Sequence, residues 1–326
     1  MKAAIITASG ETPVYGDFKE PVASSGNEVI TVSASALSQF SKSRSSGSHY
    51  SSDRTFPSVA GADGVGRTAD GRRVYFVLPE APFGALAEKC LVDARRCVAL
   101  PDDLDDETAA AIANPGMSAW AALVERARLQ PGETVLVNGA TSTAGRIAVQ
   151  LAKHRGAAKV IGTARNRAEF EEVRSLGADV VVAFDLGAGS PAGAKEYERA
   201  LIAEFASGVD VVIDYLWGES AKTVIVAIAK AVEDAHPVRF VHVGGASRVE
   251  NIELPGAALR SSAIQLLGSG IKSVPFPKLL EAIAKVFAIA RTANLKIATK
   301  VLPLSDIAEA WNLAGKPRVV VTIGQE

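Results

Sequence analysis

The sequence has few of the residues that build disulfide frameworks, metal clusters and membrane segments. It contains 2 cysteines, Cys90 and Cys97, and 4 histidines among its 326 residues. Two cysteines form neither a disulfide framework nor a four-cysteine zinc site. No apolar run approaches the ~18 residues that cross a bilayer, and the N-terminal segment lacks the layout of a signal peptide. These shortages predict a cytoplasmic protein that is not embedded in a membrane.

An excess of charge of one sign is also missing. Lys and Arg together number 35 and Asp and Glu 36, so the formal net charge is -1. Without a basic field, neither nucleic acid nor an anionic membrane is an expected partner. Hydrophobic residues make up 48% of the chain, which is typical of a well-packed globular protein, and the length is enough for about two domains.

The stretch from Glu133 to Gly156 has the pattern of a strand, a tight turn and a helix. The apolar run Thr134–Val137 is fenced by turn residues, as buried strands are. An amphipathic helical pattern begins near Gly145. Between them lie small residues only: Ala140, Thr141, Ser142, Thr143, Ala144 and Gly145. Because the first amides of a helix lack intrahelical acceptors and carry the positive end of the helix dipole, this pattern predicts an anion site.

The turn keeps only part of the glycine fingerprint of dinucleotide-binding proteins. Ala140 and Ser142 stand where the strict motif has glycines, and Gly145 holds the third glycine position. Taken alone, the turn fits an ordinary strand–helix connection without a ligand as well as it fits a phosphate site.

The remaining pattern divides the chain into two predicted domains. Residues 1–115 are β-rich, with a long serine-rich loop at 38–52. Beyond them, continuous apolar strands alternate with helices, which indicates a parallel sheet covered on both faces. The C-terminal residues are too few to build a core alone, so we expect them to fold back on the first domain. The predicted domains are 1–115 with 260–326, and 116–259.

Three local predictions concern helices. The acidic segment ending at Glu107 marks a helix start, and helical segments are expected at 108–113 and 118–127. Further along, Ser305 has the sequence context of an N-cap.

Several motifs, in this order and spacing, carry a family resemblance. They are Gly61-x-Asp63-Gly64-x-Gly66, Gly71-Arg72-Arg73-Val74, Pro131-Gly132-Glu133-Thr134-Val135-Leu136-Val137, Gly145 with Val149-Gln150-Leu151-Ala152-Lys153, Leu176-Gly177-Ala178-Asp179, Val209-Asp210-Val211-Val212-Ile213-Asp214, and Pro303-Leu304-Ser305 with Ala310-Trp311. Nearly the whole chain resembles the zinc-free, quinone-oxidoreductase-like branch of the medium-chain dehydrogenase/reductase superfamily. The resemblance implies an α/β fold, with a doubly wound parallel Rossmann sheet inserted in a GroES-like β-rich substrate domain. It also implies a nicotinamide cofactor in the cleft between the domains, quinone or enone substrates, and a dimer.

The zinc-binding relatives differ from this chain at their metal ligands. They carry a catalytic cysteine in an early loop, a Gly-His-Glu turn and a lobe with closely spaced cysteines. Here Ser38 stands at about the place of the cysteine, the turn is Gly61-Ala62-Asp63, and the lobe is missing. The resemblance therefore implies no metal.

The segment Arg165-Asn166-Arg167 predicts which nicotinamide cofactor binds. An NAD site has an acidic residue roughly 20 residues past the glycine turn, which accepts from the ribose hydroxyls. This chain has two arginines there, and guanidinium groups bind a 2′-phosphate in a fork. We therefore predict NADPH. The alternative is a solvated helix start in which both arginines pair with Glu169, Glu171 and Glu172, and relatives often have lysine near position 169.

The nicotinamide end of the site is predicted from the resemblance. The pyrophosphate is expected over Ser142–Gly145, where the Ser142 hydroxyl could donate to it. The nicotinamide is expected near Gly244, Gly245, Leu267, Gly268 and Ser269, facing a loop that contains His49 and Tyr50. Tyr50 is the candidate hydrogen-bond donor to the substrate carbonyl, and a packing role for Tyr50, with water as proton donor, is the alternative.

These features together predict a zinc-independent, NADPH-dependent oxidoreductase that transfers hydride to a quinone or an α,β-unsaturated carbonyl compound. Two other classes remain open. One is an NADPH-binding sensor or structural protein with little turnover, and the other is a reductase of a carrier-bound enoyl thioester. The apolar segment 263–269 at the edge of the predicted sheet further predicts a homodimer.

Overall fold

The chain folds into two units, each with its own hydrophobic core. The structure is a computed structural model and describes residues 1–47, 52, 55–185, 191–313 and 316–324. The first unit comprises Met1–Asn114 and Ile283–Glu326, and the second comprises Pro115–Ala282. The second unit thus extends beyond the expected boundary at residue 259, because the segment Ala263–Gly268 joins its sheet as a further strand.

The strands follow one another in the order of the chain. They are β1 (Lys2–Ile6), β2 (Val14–Asp17), β3 (Asn27–Ala36), β4 (Ser58–Val59), β5 (Asp63–Arg67), β6 (Arg73–Val77), β7 (Lys89–Asp93), β8 (Cys97–Ala99), β9 (Thr134–Asn138), β10 (Lys159–Ala164), β11 (Val180–Ala183), β12 (Val211–Asp214), β13 (Pro237–His242), β14 (Ala263–Gly268), β15 (Thr299–Pro303) and β16 (Arg318–Thr322).

The helices lie mostly between the later strands. They are α1 (Gln39–Ser45), α2 (Asp106–Trp120), α3 (Thr143–His154), α4 (Phe170–Ser175), α5 (Pro191–Phe205), α6 (Gly218–Ala231), α7 (Gly256–Arg260), α8 (Phe276–Ile289) and α9 (Ile307–Asn312), with a π-helix at Ala121–Arg126 and 3-10 turns at Ala94–Arg96, Arg167–Glu169 and Leu304–Asp306. Among the described residues, no helix is long and apolar enough to cross a membrane.

The second unit is built on a six-stranded parallel sheet with the order β11-β10-β9-β12-β13-β14. Its central strands are buried on both faces, and Val135, Leu136 and Val137 of β9 have no exposed surface. This is the doubly wound order of dinucleotide-binding folds, and the connection reverses direction between β9 and β12. The predicted α/β class with a doubly wound sheet is confirmed, and its carboxyl edge at β9 and β12 is where such folds bind ligands.

The first unit is β-rich, as its sequence pattern predicts. One sheet has the order β2-β1-β4, and a seven-stranded sheet has the order β15-β16-β3-β5-β6-β8 with β7 also paired to β3. Both are antiparallel apart from the parallel pair β15 and β16. The C-terminal residues add β16 beside β3, so the two ends of the chain share one sheet.

The structure corrects three local predictions. The serine-rich segment expected to be a loop contains α1, whose N-cap Ser38 accepts a hydrogen bond of 2.9 Å from the Ser41 amide, because serine oxygens satisfy orphan helix amides well. The two segments expected at 108–113 and 118–127 form one helix that continues through Pro115 and passes into the π-helix. Ser305 lies within a 3-10 turn and does not cap α9, since Asp306 precedes that helix.

Candidate dinucleotide-binding site

The turn between β9 and α3 is tight because glycines stand at its two critical points. Gly139 has a φ of +90°, in the left-handed region that favours glycine. A Cβ on Gly145 would lie 2.2 Å from the carbonyl oxygen of Gly139, so only glycine lets the helix start pass this close to the strand end. Ala140 is fully buried beneath the turn, while Thr141, Ser142, Thr143 and Ala144 are half-buried.

Ser142 closes this turn with its side chain. Its Oγ accepts a hydrogen bond of 3.0 Å from the Gly145 amide as the N-cap of α3, and donates one of 2.9 Å to the carbonyl oxygen of Gly139. The hydroxyl hydrogen is therefore directed at the turn rather than outward. A phosphate above this turn would meet backbone amides and the helix dipole.

A buried polar network lies under the turn. Asn138, at the end of β9, donates from Nδ2 to Asp214 Oδ1 at 2.8 Å, and its Oδ1 accepts from Thr163 Oγ1 at 2.7 Å. Thr163 in turn accepts from the Gly139 amide at 3.0 Å. Asn138, Thr163 and Asp214 are all fully buried. The carboxyl ends of β9, β10 and β12 are thus held together by side-chain hydrogen bonds.

Sequence analysis missed this network, although a signal was present. Asn138 and Asp214 are the first polar residues after two continuous apolar strands. A polar side chain that is buried at a strand end must find a partner, because an unsatisfied buried group is costly. Two such residues on parallel strands indicate buried polar contacts at the carboxyl edge, although the sequence does not specify that they pair with each other.

The arginines expected to hold a 2′-phosphate lie after β10. Arg165 and Arg167 are exposed, and neither forms an ion pair with any described residue. The glutamates weighed as their partners are engaged elsewhere: Glu169 and Glu172 with Arg146, and Glu171 with Arg174.

Asn166 has a local role between these arginines. Its side-chain oxygen accepts a hydrogen bond of 3.1 Å from the Ala168 amide and so caps the 3-10 turn that begins at Arg167. The cap fixes the backbone that carries both arginines, and their guanidinium groups stay available to an anion.

The residues expected at the nicotinamide end follow β13 and lie in and after β14. Gly244 donates from its amide to the Asp214 carbonyl oxygen at 3.3 Å, and Ser269 donates from its amide to the His242 carbonyl oxygen at 2.8 Å. Gly245 and Gly268 are exposed, and a Cβ at either would meet nothing within 4 Å. Leu267 is half-buried. The structure therefore gathers these five residues at the same sheet edge as the turn.

One interaction at this edge was not foreseen. His242 Nδ1 lies 2.8 Å from Asp214 Oδ2, and the imidazole is 36% exposed beside a carboxylate with no exposure. The ring of Trp217 packs on the imidazole with centroids 4.5 Å apart. No metal-ligand spacing surrounds His242 in the sequence that would have marked it as a functional residue.

The positions at which zinc-binding relatives carry ligands hold side chains that are engaged in other contacts or lack a donor atom. Ser38 caps α1, Ala62 has no donor side chain, and Asp63 is buried and accepts a hydrogen bond of 2.7 Å from the Tyr75 hydroxyl. Burial raises the pKa of both cysteines, to about 11 for Cys97, which disfavours the metal-binding thiolates. Among the described residues, no group of three or more His, Cys, Asp or Glu side chains could hold a metal ion.

The first unit has a small open pocket of about 50 Å³ beside the Gly61–Asp63 turn. Its lining includes Arg44, Phe56, Gly61, Ala62, Pro82 and Phe83. His49 and Tyr50, the residues expected to face a substrate, lie outside the described residues, so the role of Tyr50 stays a prediction.

A family model and curated relatives match the chain. The model of zinc-binding dehydrogenases matches residues 144–285. A probable NADPH-dependent quinone reductase from Emericella nidulans is 26% identical over 350 residues, which cover 95% of this chain and 96% of the relative. A polyketide synthase from Streptomyces halstedii is 31% identical over 251 residues, which cover 73% of this chain and 4% of that much longer protein.

Solved structures with the same fold cover the whole chain. A mycobacterial quinone oxidoreductase superposes with a TM-score of 0.82 at 22% identity, covering 99% of both chains. The quinone oxidoreductase of Thermus thermophilus, also solved with NADPH, gives a TM-score of 0.74 at 24% identity and covers 99% of this chain and 100% of that one. These likenesses confirm the combination of a GroES-like and a Rossmann domain.

The motifs, the fold and the matched family model agree on one class of protein. In its motifs and its fold, the chain is similar to the quinone-oxidoreductase-like members of the medium-chain dehydrogenase/reductase superfamily.

Proposed function

We propose that this chain is a zinc-independent, NADPH-dependent oxidoreductase that transfers hydride to a quinone or an α,β-unsaturated carbonyl acceptor. The observation that carries the proposal is the carboxyl edge of the parallel sheet. There a glycine-dependent turn at a helix start lies on the same edge as two exposed arginines and the exposed backbone of Gly245 and Gly268. This arrangement suits an extended dinucleotide whose central pyrophosphate lies over the turn and whose 2′-phosphate lies near the arginines.

The cofactor preference rests on Arg165 and Arg167. Their guanidinium groups form no ion pair among the described residues, and the segment Arg165–Arg167 itself contains no acidic residue that could accept from a ribose hydroxyl. A 2′-phosphate would supply the missing partner through charge-assisted hydrogen bonds. The name of the Emericella relative and the NADPH complex of the Thermus protein support the same choice.

The class of hydride acceptor follows from the side chains at the positions of the zinc ligands. With only Ser38, Ala62 and Asp63 at the ligand positions, no zinc ion polarises a carbonyl group. A conjugated acceptor needs less polarisation, because the negative charge that arrives with hydride spreads onto oxygen. Quinones and enones meet this requirement, whereas unactivated ketones do not.

The residues of the chain have separable tasks in this reaction. Bound NADPH would supply the hydride. The turn at Ser142–Gly145 would hold the pyrophosphate with backbone amides, and Arg165 and Arg167 would select the 2′-phosphate. Gly244 and Gly245 would let the nicotinamide approach the backbone closely.

A consumption screen tests the proposal. Purified protein is incubated with NADPH or NADH and a panel of quinones, enones and saturated aldehydes, and cofactor oxidation is followed by absorbance. We expect turnover with conjugated acceptors and a strong preference for NADPH. Binding of NADPH without turnover would favour the sensor function instead, and activity lost to a chelator and restored by zinc would contradict the metal-free mechanism.

A second candidate is reduction of a carrier-bound enoyl thioester, and the match to polyketide synthases favours it. The enoyl group is itself a conjugated acceptor, so the hydride transfer is the same. The substrates differ only in the carrier that is attached to the enoyl group through the thioester. Comparing kcat/KM for an enoyl thioester of pantetheine with that for the free enone separates the two. A large preference for the thioester would identify a carrier substrate.

We also propose a homodimer formed through β14. This strand is the edge of the parallel sheet, and Leu266 on it is 43% exposed. An apolar edge strand of this kind associates unless it is covered. We expect light scattering to give a dimer and Leu266→Lys to give a monomer, while Val301→Lys, a matched change at an exposed edge strand of the first unit, leaves the dimer intact.

A further inference from the structure

We infer that His242, oriented by the buried Asp214, donates the proton that completes reduction of the acceptor. The inference rests on the proposed function and adds a residue to it. Its basis is a carboxylate–imidazole pair at the carboxyl ends of two adjacent strands, β12 and β13.

The carboxylate of Asp214 is fixed and can only accept hydrogen bonds. Its Oδ1 accepts from Asn138 Nδ2 at 2.8 Å and from the Leu216 amide at 3.1 Å. Both of its oxygens lie 3.2 Å from the Trp217 amide. All of these partners are N–H donors, so both oxygens of Asp214 act as acceptors. It follows that Nδ1 of His242 carries a hydrogen and donates it to Oδ2, which leaves Nε2 as the atom of the ring available to a ligand.

The position of the pair matches the half of the site where the chemistry takes place. In the doubly wound order, β9, β10 and β11 form one mononucleotide-binding half, and β12, β13 and β14 form the other. The pyrophosphate turn follows β9 and the 2′-phosphate arginines follow β10, so the nicotinamide half falls to the other side. His242 ends β13, and its carbonyl oxygen accepts from the amide of Ser269.

The loop after β12 is held in an unusual conformation around the imidazole. Trp217 has φ 61° and ψ -162°, a combination that almost only glycine adopts. Hydrogen bonds from its amide to Asp214 and from its indole Nε1 to the Glu250 carbonyl oxygen, at 3.2 Å, hold it there. Strained residues persist where the surrounding structure fixes them, and they concentrate at functional sites. Here the result is an indole packed on His242.

The proton transfer balances as follows. The acceptor gains hydride at one end of its conjugated system, and the displaced π-electron pair moves to the carbonyl oxygen. The Nε2–H bond of doubly protonated His242 breaks, an O–H bond forms at that oxygen, and the ring becomes neutral. Asp214 offsets the positive charge of the ring before transfer, and water restores the proton afterwards. No further oxidant or reductant is needed.

A matched pair in the same sheet serves as the control. Asp210 and His236 stand immediately before β12 and β13, with His236 Nε2 at 3.0 Å from Asp210 Oδ1. The residue types and the two strands are the same, but this pair lies at the amino edge, away from the predicted site. His236→Gln should therefore leave turnover and cofactor binding unchanged.

The experiment compares His242→Gln with His236→Gln in the full-length protein. Glutamine keeps a hydrogen-bond donor for Asp214 but cannot transfer a proton. With an enone and NADPH, we expect kcat to fall about 10²- to 10⁴-fold in His242→Gln, the range for a general acid, and the dissociation constant for NADPH to stay unchanged. The solvent deuterium isotope effect on kcat should also change in this variant.

Nuclear magnetic resonance of the cofactor-free protein provides a readout that is independent of activity. The His242 Nδ1 proton should give a slowly exchanging low-field signal, and Asp214→Asn should remove it. An unchanged kcat and isotope effect in His242→Gln would overturn the inference while leaving the proposed function intact. A loss of NADPH binding equal to the loss of kcat would assign His242 to cofactor binding and would also overturn it. A wild-type protein without turnover on any acceptor would overturn both proposals together.

Discussion

The amino and carboxyl edges of the parallel sheet each carry an aspartate–histidine pair, and the two pairs differ in burial and in hydrogen bonding. At the amino edge, Asp210 is 21% exposed and lies close to His236, but the histidine nitrogen forms no aligned hydrogen bond. At the carboxyl edge, Asp214 has no exposure and forms a hydrogen bond of 2.8 Å with His242. Both pairs consist of an aspartate and a histidine at the ends of β12 and β13. The difference in hydrogen bonding therefore comes from the surroundings of each pair.

The surroundings differ in how completely polar groups are buried. The carboxyl edge holds Asn138, Thr163 and Asp214 without contact with solvent, joined to one another by hydrogen bonds. The amino edge instead carries partly exposed ion pairs, such as that of Lys159 with Glu204. Exposed pairs contribute little to stability, whereas a satisfied buried network fixes geometry. The comparison indicates that the polar side chains of the carboxyl edge have a fixed geometry, whereas the amino edge is a partly exposed surface.

Removing the two aspartates should give the largest contrast between the edges. Asp214→Ala removes the acceptor of the buried Asn138 Nδ2, of the His242 imidazole and of two partly buried backbone amides, so we expect a loss of about 3–5 kcal/mol in the free energy of unfolding. Asp210→Ala removes a hydrogen bond to the Thr134 amide and should cost about 1 kcal/mol. Urea unfolding followed by circular dichroism measures both. Equal losses would show that burial does not distinguish the edges, and Asp214→Asn provides a milder variant if Asp214→Ala does not fold.

The sequence predicts the strands and the turn of the carboxyl edge much better than it predicts the side-chain contacts between them. The strand Thr134–Val137, the turn to Gly145 and the apolar runs of the sheet are local patterns, and the structure contains them. The pairs Asn138–Asp214 and Asp214–His242 join residues that are 76 and 28 positions apart. Such partners depend on strand order and register, which local periodicity does not specify.

Two local sequence patterns also gave predictions that the structure contradicts. Serine density suggested a loop at 38–52, but Ser38 supplied the cap that begins α1. Two separate helical segments were predicted at 108–113 and 118–127, yet α2 continues through Pro115 and is followed directly by a π-helix. At Ser38 one local preference of serine, helix capping, prevails over another, loop formation. At Pro115 the helix continues in spite of the low helix propensity of proline.

The next largest effect concerns the phosphate end of the carboxyl edge. Losing one guanidinium–phosphate contact costs about 1.5–3 kcal/mol, so Arg165→Ala should weaken NADPH binding roughly 10- to 100-fold. NADH binding should stay nearly unchanged. Lys159→Ala removes a cation from the amino edge of the same strand and should affect neither cofactor. Fluorescence titration measures all four constants, and an equal loss for NADPH and NADH would show that Arg165 positions something other than the 2′-phosphate.

Replacing one glycine by alanine at each edge tests whether NADPH binding depends on the backbone of the turn at the carboxyl edge. In Gly145→Ala the new Cβ would lie 2.2 Å from the Gly139 carbonyl oxygen, so the turn must open, at a cost of about 1–3 kcal/mol. NADPH binding should weaken accordingly. Gly132, in the turn before β9, has a φ of +90° and open space around it. Gly132→Ala should therefore lower stability through backbone strain while leaving NADPH binding unchanged, and weaker binding in both variants would contradict a role specific to the Gly145 turn.

The smallest expected effect is electrostatic and comes from reversing one charge at each edge. Glu169 lies in the 3-10 turn that contains Arg167, and it pairs with Arg146, which also holds Glu172. Glu169→Lys should therefore keep Arg146 anchored through Glu172 and bring a cation toward the 2′-phosphate, at a gain of about 0.5–1 kcal/mol, the range for exposed pairs. NADPH should bind a few-fold more tightly at low salt, and the gain should shrink at high salt because ions screen exposed charges.

Glu204→Lys makes the same charge change at the amino edge and should alter only the local pairing with Lys159. Titration of both variants with NADPH at two salt concentrations decides the matter, since an equal gain in both would mean that the net charge of the chain, rather than the carboxyl edge, sets the affinity.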